Sequence, residues 1–354
     1  MEGKMTHGGD IYRNKVNIDF SVNLNPLGTP ERVKAAVAES IGRASFYPDI
    51  RQEEVRNAIA GALGIDRSLV YAGSGASELI MALVRAARPK KALLFEPAFS
   101  GYEYALKAAG CEILRYYPGE EKSFALTGGD VAAIEEDCDI LFVCDPSNPS
   151  GQSIDEGVLA AILDKAARIN AVVCLDESFF LMSDKAVRDV RMRNRLAEEY
   201  KNLIIVRSLT KILAMPGIRM GYVLAAPDII GRISRQLPEW NLSVCCEAGI
   251  KAGMKEIYET DFIRRTVEMI KMERKKLAES LTGFGFKVYD SDTSFLLFKG
   301  PVDLYQKLLK RGILIRDCRE FDGLGKGYYR IAVRSHEDNK RLVSILRELK
   351  TMDL

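Results

Sequence analysis

The stretch Leu203-Ile204-Ile205-Val206-Arg207-Ser208-Leu209-Thr210-Lys211 decides which class of fold this sequence predicts. It opens with four consecutive apolar residues and continues into a polar turn that ends in a lysine. A short strand that is apolar throughout is typical of a parallel sheet covered by helices on both faces. Such sheets bind ligands beyond the carboxyl ends of their strands. Lys211 is therefore predicted to lie at a ligand site.

Six further strand-sized runs lie on either side of this stretch and alternate with helical segments. They begin at Val70, Lys91, Glu112, Ile140, Ala171 and Met220. Strands that alternate with helices are typical of βα units, whose strands run parallel. The sequence therefore predicts an α/β fold in which a large domain holds a mainly parallel seven-stranded sheet.

The chain has 354 residues, more than twice the usual length of one domain, and its pattern changes along its length. We expect an irregular N-terminal arm over residues 1–30, a large domain over residues 31–245 and a smaller α+β domain over residues 246–354. One long helix, residues 247–281, is predicted to link the two domains. The arm is predicted to pack with the small domain.

The composition argues against several classes of function. Lysines and arginines number 51 and aspartates and glutamates 49, so binding of nucleic acid through bulk charge is not expected. Two histidines cannot form a histidine-rich metal site, and we expect no metal. The seven cysteines are odd in number and lack C-x-x-C spacing, as in the reduced thiols of a cytoplasmic protein. Apolar runs are strand-sized, so no membrane association is expected.

Polar or aromatic residues follow five of the predicted strands. Residues 73–78 open a helix and suit a phosphate held by backbone N–H groups, although a tight turn with a serine cap has the same pattern. Asn148 lies between two prolines, which either form a simple turn or hold the asparagine amide rigidly over a ligand ring. Asp176 is a helix cap or the partner of a buried cationic nitrogen. Phe99 belongs to the core or stacks on a flat ring. Burial of Lys211 would lower its pKa and make it a nucleophile.

In combination these residues resemble the fold-type-I enzymes that depend on pyridoxal 5′-phosphate, the class I/II aminotransferase superfamily. The motifs are S-x-x-K at Ser208–Lys211 followed by Arg219, N-P-x-G at Asn148, and D-E-x-[YF] at Asp176. The resemblance covers essentially the whole chain. It implies the type I transferase fold and pyridoxal phosphate as the cofactor.

The resemblance also implies a role for each residue. Lys211 is similar to the lysine that bonds covalently to the cofactor and later moves a proton, and Asp176 to the partner of the ring nitrogen. Arg330 is similar to the arginine that binds the substrate carboxylate. The other implied cofactor contacts are the phosphate ligands Gly75, Ala76, Ser77, Ser208 and Arg219, the stacking ring of Phe99, the amide of Asn148 at the ring O3′, and Tyr47 of the partner subunit in a homodimer.

One position departs from the family pattern. Phe179 stands where many aminotransferases have a tyrosine whose phenol donates a hydrogen bond to O3′. Asn148 alone would then serve that oxygen, and core packing is the alternative role for Phe179.

The branch of the superfamily is indicated by local motifs. The segments around Tyr47, Asp176 and Lys211 resemble the histidinol-phosphate aminotransferases. The segments HGGD at residues 7–10 and DFSVNLNPLG at residues 19–28 resemble the threonine-phosphate decarboxylases of cobalamin biosynthesis. The second resemblance implies decarboxylation of L-threonine O-3-phosphate to aminopropanol phosphate. The implied substrate contacts are Arg330, Arg334, Asn148, His7 and Asn23.

Several alternatives stay open. Arg334 suits a surface salt bridge equally well, and His7 suits a disordered terminus. The same residues serve transamination, so a histidinol-phosphate or related aminotransferase is the alternative enzyme. A non-catalytic regulatory protein that binds pyridoxal phosphate is a second alternative, against which an intact Lys211, Asp176 and Arg219 argue.

Overall fold

The computed structural model describes residues 8–352, so His7 lies outside the described residues. The strands are β1 (Ile18–Asp19), β2 (Val70–Gly73), β3 (Lys91–Phe95), β4 (Glu112–Tyr116), β5 (Ile140–Cys144), β6 (Val172–Asp176), β7 (Leu203–Ser208), β8 (Gly221–Ala225), β9 (Lys287–Val288), β10 (Phe295–Lys299), β11 (Ile313–Leu314), β12 (Arg316–Asp317) and β13 (Tyr328–Ala332). The α-helices are α1 (Glu31–Ser40), α2 (Glu53–Leu63), α3 (Ala76–Ala87), α4 (Ser100–Ala108), α5 (Glu156–Arg168), α6 (Ala186–Glu199), α7 (Leu209–Ile212), α8 (Pro227–Ser234), α9 (Val244–Glu259), α10 (Phe262–Gly283), α11 (Leu304–Lys310) and α12 (His336–Met352).

The central sheet has seven strands in the order β2-β8-β7-β6-β5-β3-β4. All neighbours are parallel except β8, which runs antiparallel to β2 and β7. The predicted mainly parallel seven-stranded sheet of an α/β fold is therefore confirmed. All six residues of β7 are buried, and Ile205 contributes to the core on one face while Ile204 and Val206 contribute to the core on the other. Burial on both faces explains why this strand is apolar without alternation.

The single helix predicted over residues 247–281 is wrong. The chain forms α9 and α10, with a break at Thr260 and Asp261. The hydroxyl of Thr260 donates to the carbonyl of Glu256 (2.6 Å) and accepts from the N–H of Phe262 (3.1 Å). These side-chain bonds replace helical backbone bonds, which is how threonine ends a helix that its neighbours would continue.

A second, four-stranded sheet has the order β12-β13-β10-β9 and is antiparallel throughout. Helices α10, α11 and α12 contribute to the apolar core beside it. The chain before α1 lies against this part of the molecule, because β1 pairs in parallel with β11 and Phe20 is fully buried in the same core. Within residues 8–352, no helix is both long enough and apolar enough to span a bilayer.

The buried β7 gives a stability prediction. Replacing Ile205 with alanine is expected to lower the free energy of unfolding by about 2–5 kcal/mol, because the removed methyl groups leave a cavity in a fully buried strand. Urea unfolding followed by circular dichroism measures the change. The control is Met272→Ala on α10, where the side chain is 53% exposed and the expected change is within about 0.5 kcal/mol. Equal effects of the two substitutions would contradict the assigned burial.

Candidate active site

A cavity of about 190 Å³ lies where the carboxyl ends of the central strands face the second sheet. Its walls contain ten of the residues that the sequence nominated: Asn23, Ala76, Ser77, Phe99, Asn148, Asp176, Ser208, Lys211, Arg219 and Arg330. The fold thus brings together side chains separated by up to 307 positions. Strands of the central sheet end at one edge and contribute most of them, and Asn23 and Arg330 come from the facing N-terminal segment and second sheet. Tyr47 and Arg334 are not among the lining residues.

One end of the cavity is suited to an anion. Gly75 precedes α3 with φ +84°, and the first N–H groups of that helix belong to Ala76 and Ser77. A Cβ on Gly75 would lie 2.7 Å from the guanidinium of Arg219, so any larger residue would push that side chain away. A helix N-terminus beside a guanidinium attracts phosphate through aligned N–H dipoles and charge.

Asp176 is buried at the end of β6. Its carboxylate accepts hydrogen bonds from the phenol of Tyr102 (2.6 Å) and from the N–H of Ser178 (2.9 Å). Burial raises the pKa of Asp176, and the bonds from Ser178 and Tyr102 act in the opposite direction because they stabilise the charged form. Tyr102 was missed in the sequence, although its position three residues after Phe99, in the first turn of α4, is a signal that places the two rings close together.

Lys211 lies on the short helix α7, directly after β7. Burial lowers the pKa of its amine to about 8, and the positive charges of Arg330 and Arg219 act in the same direction. The negative charge of Asp176 opposes them. A lysine amine with a pKa this low is partly neutral near pH 7 and can act as a nucleophile and as a proton carrier.

Arg330 on β13 reaches the cavity from the second sheet. Its guanidinium donates to the side-chain oxygen of Asn148 and to the carbonyl of Ser21 (3.0 Å). Within residues 8–352, its buried Nε and the buried Oδ1 of Asn23 have no hydrogen-bond partner. Buried polar atoms of this kind cost free energy unless a ligand satisfies them. Burial also lowers the pKa of Arg330 to about 10.

Arg316 is a second arginine of the cavity, and the sequence reasoning did not find it. It lies on β12 directly opposite Arg330 in the antiparallel register. Side chains directly opposite each other share one face of a sheet, where two like charges repel. An anion bound between the two guanidinium groups would relieve that repulsion. The available signal was a basic residue directly after the apolar run Ile313-Leu314-Ile315.

Two nominated residues lie elsewhere. The guanidinium of Arg334 pairs with Asp338 (2.8 Å) and donates to the carbonyl of Asp19 (3.0 Å). The ring of Tyr47 is 78% exposed and lies 4.7 Å from the ring of Trp240. Phe179 lines the cavity and also packs edge-on against Phe295, so it takes part in both the site and the core.

The donor set fits pyridoxal phosphate. The cradle formed by Gly75, the start of α3 and Arg219 accommodates a phosphate without a side chain in the way. A buried carboxylate, Asp176, and a lysine of lowered pKa, Lys211, line the same cavity. An acid for the ring nitrogen and an amine for the aldehyde are the groups that this cofactor requires of its protein.

The family model for aminotransferases of class I and II matches residues 15–346. The chain belongs to the class I and II aminotransferase family. Members of this family use pyridoxal 5′-phosphate, which is the cofactor of this chain. Its type I transferase fold is likewise confirmed, since a histidinol-phosphate aminotransferase from Clostridium acetobutylicum superposes with a TM-score of 0.86 at 27% identity. That match covers 95% of this chain and 99% of the other.

Two relatives in this family are similar over nearly their whole length. A protein of Caldanaerobacter subterraneus subsp. tengcongensis, provisionally named a threonine-phosphate decarboxylase, is 36% identical over 97% of this chain and 93% of its own. The threonine-phosphate decarboxylase of Salmonella typhimurium is 32% identical over 94% of this chain and 91% of its own. Both lie in the branch that the N-terminal motifs indicated.

The lowered pKa of Lys211 gives a second prediction for this aminotransferase-family site. In cofactor-free protein, acylation of Lys211 should reach half its maximal rate near pH 8, because the neutral amine reacts and burial disfavours the charged form. Peptide mass spectrometry across a pH series measures this rate. In the matched variant Arg330→Met the midpoint should move to higher pH, since a nearby positive charge is removed. A midpoint near the ordinary value of 10.5 in the unmodified chain would contradict the assigned environment.

Proposed function

We propose that this protein is a pyridoxal-phosphate-dependent lyase that decarboxylates L-threonine O-3-phosphate to aminopropanol phosphate. The observation that carries the proposal is the pair of opposed arginines, Arg316 and Arg330, in the same cavity as Lys211. A substrate with a carboxylate and a phosphate supplies one anion for each guanidinium. The similarity to threonine-phosphate decarboxylases supports the same substrate.

The residues that hold the cofactor divide its binding between two ends. Arg219 and the N–H groups of Ala76 and Ser77 would hold the phosphate, and the amine of Lys211 would hold the aldehyde end. Asp176 would pair with the ring nitrogen, and the hydrogen bond from Tyr102 helps to keep this carboxylate ionised for that purpose. The bound cofactor supplies a conjugated, protonated ring that accepts the electron pair released at the substrate Cα.

The remaining residues act on the substrate. Arg330 binds the carboxylate and is itself held by Asn148 and Ser21, so the carboxylate is presented in a fixed direction. The bond from Cα to the carboxylate breaks and carbon dioxide leaves. Lys211 then delivers a proton to Cα, which replaces the lost carboxylate by hydrogen. Arg316 binds the phosphate, for which the geometry favours it over Arg334 because only Arg316 lines the cavity.

A second candidate function is transamination of histidinol phosphate. The superposition with a histidinol-phosphate aminotransferase favours it, and the same lysine would then remove a proton from Cα instead of delivering one there. The two reactions differ in their need for a second substrate, because an aminotransferase requires a keto acid to accept the amino group and a decarboxylase does not.

The deciding experiment supplies purified holoenzyme with threonine phosphate and no keto acid. Carbon dioxide and aminopropanol phosphate are expected over many turnovers, measured by trapped ¹⁴CO₂ and phosphorus NMR. Unphosphorylated threonine is the control and should be a poor substrate, since it offers no phosphate for Arg316 to bind. Turnover that occurs only with histidinol phosphate and 2-oxoglutarate would replace this proposal with the aminotransferase.

The assignment of the phosphate ligand has its own test. Arg316→Gln should lower kcat/KM for threonine phosphate roughly 30- to 1,000-fold, because a charged contact to a dianion is lost. This factor corresponds to a loss of about 2–4 kcal/mol of transition-state stabilisation. Arg334→Gln is the matched variant and should change kcat/KM less than about fivefold, because its guanidinium lies outside the cavity in a partly exposed pair with Asp338. The reverse ranking would assign the phosphate to Arg334, which the sequence motifs implied as a substrate contact.

We further propose that the active species is a homodimer in which Tyr47 of the partner subunit completes the cofactor phosphate site. Tyr47 is exposed and does not line the cavity of its own chain. The exposed apolar side chains of Ile41, Phe46 and Ile50 surround it in sequence, and clustered apolar exposure is typical of an interface.

Mixing two inactive variants tests this composite site. Tyr47→Ala and Lys211→Ala chains, unfolded and refolded together, should recover up to about a quarter of the normal activity. Half of the dimers are then mixed, and each holds one site with both groups intact. Size-exclusion chromatography with light scattering gives the oligomeric state as the control. A monomer with full activity, or no recovery on mixing, would refute the shared site.

A further inference from the structure

The segment between β12 and β13 forms part of the cavity wall. Phe321 lines the cavity, and the guanidinium of Arg316 lies 5.3 Å from the centre of its ring. Cys318, three residues earlier, is fully buried in a small apolar cluster with Phe321 and Phe124. The position of this segment, residues 318–324, therefore determines where Phe321 lies and supports the side chain of Arg316.

The same segment is attached to the central sheet by an ion pair. Asp322, next to Phe321, has its carboxylate 2.8 Å from the Nε of Arg115 on β4. The guanidinium of Arg115 also forms ion pairs with the carboxylates of Glu103 on α4 (2.5 Å) and of the buried Glu96 (3.7 Å). The segment also approaches closely through Gly323, where a Cβ would lie 2.8 Å from the ring of Tyr117.

We propose that Arg115 and Asp322 form a latch that positions Phe321 and Arg316 for the phosphate of the substrate. This inference rests on the proposed function only for the identity of the phosphate ester that binds in the cavity. Neither residue touches the cavity, so both are positioning residues and act through the segment between them. The pair joins the central sheet to the second sheet. The affinity of the cavity for its substrate therefore depends on a contact that lies outside the cavity.

The exposure of the pair indicates a local role. The Arg115 side chain is 25% exposed and that of Asp322 is 50% exposed, and ion pairs at this exposure contribute little to global stability. Local opening of a short segment requires far less free energy than global unfolding, so a weak pair can control it. Variants of the latch should therefore fold and bind pyridoxal phosphate normally, while the segment 318–324 opens more often.

Labelling of Cys318 measures that opening without any substrate. In holoenzyme treated with N-ethylmaleimide, Asp322→Asn should speed labelling of Cys318 by about three- to tenfold, as expected for loss of a partly exposed ion pair. Cys174, fully buried in β6, is the internal reference and should stay slow. Asp322→Glu should label as slowly as the unmodified chain, because the charge is kept. Asp137→Asn, which removes the exposed partner of Lys91, is the matched control and should leave Cys318 unchanged.

Substrate affinity gives the second measurement. Asp322→Asn should raise KM about three- to tenfold with kcat changed less than twofold, and Arg115→Gln should raise KM at least as much because it also removes the pairs with Glu103 and Glu96. The double variant should resemble Arg115→Gln, because the contact that Asp322→Asn removes is already lost in it. Threonine phosphate is used, or histidinol phosphate if only that ester is turned over. Failure of the proposed decarboxylation is therefore distinguishable from failure of the latch.

Three results would overturn the latch. The first is unchanged labelling of Cys318 in both single variants. The second is faster labelling without a change in KM, which would show that the segment does not set substrate affinity. The third is additive effects of the two substitutions, which would show that Arg115 and Asp322 act through different partners.

Discussion

The buried guanidinium of Arg193 is the constraint on which the site depends. It is fully buried and pairs with Asp145 (2.7 Å) and Glu177 (3.1 Å), while Arg207 pairs with the other oxygen of Glu177 (2.6 Å). Charges out of water are costly unless each has a partner with good geometry. Burial raises the pKa of Asp145 to about 6, and the charge of Arg193 opposes that rise. The network therefore holds together only in one arrangement of β5, β6 and α6.

That arrangement fixes the two turns that carry the proposed cofactor contacts Asn148 and Asp176. Asp145 begins the turn that ends at Asn148, and its carboxylate also accepts from the N–H of Ile154 (2.9 Å), which closes the loop. Glu177 follows Asp176 directly. Asp145 and Glu177 are held on both sides of Arg193. The nearby carboxylate of Asp176 and amide of Asn148 therefore keep a fixed separation. A site built in this way is preorganised before any ligand binds. The free energy of ligand binding is therefore not reduced by the cost of ordering the site.

The cavity above this network concentrates positive charge. Arg219 lies at one end, Arg316 and Arg330 approach from the second sheet, and Lys211 lies between them with a lowered pKa. An accumulation of positive charge of this kind suits a phosphorylated cofactor and the doubly anionic substrate that we propose. It also links binding to catalysis, because each bound anion changes the field in which Lys211 gains or loses its proton. Under the proposed function Arg330 directs the substrate carboxylate for its loss as carbon dioxide, whereas histidinol phosphate has no carboxylate for Arg330 to bind.

The sequence by itself determined the seven central strands and the identity of ten of the 21 residues that line the cavity. Apolar runs such as Leu203–Val206 are local signals, and the polar residue after each run marks a strand end, which a parallel sheet brings to one edge. Only the tertiary structure showed that Arg316 faces Arg330, that Tyr102 bonds to Asp176 and that Arg334 pairs with Asp338. These contacts depend on strand register and on packing between distant segments, which no local pattern encodes. The break at Thr260 belongs with them, because a hydroxyl bonding to the backbone overrides the helical periodicity around it.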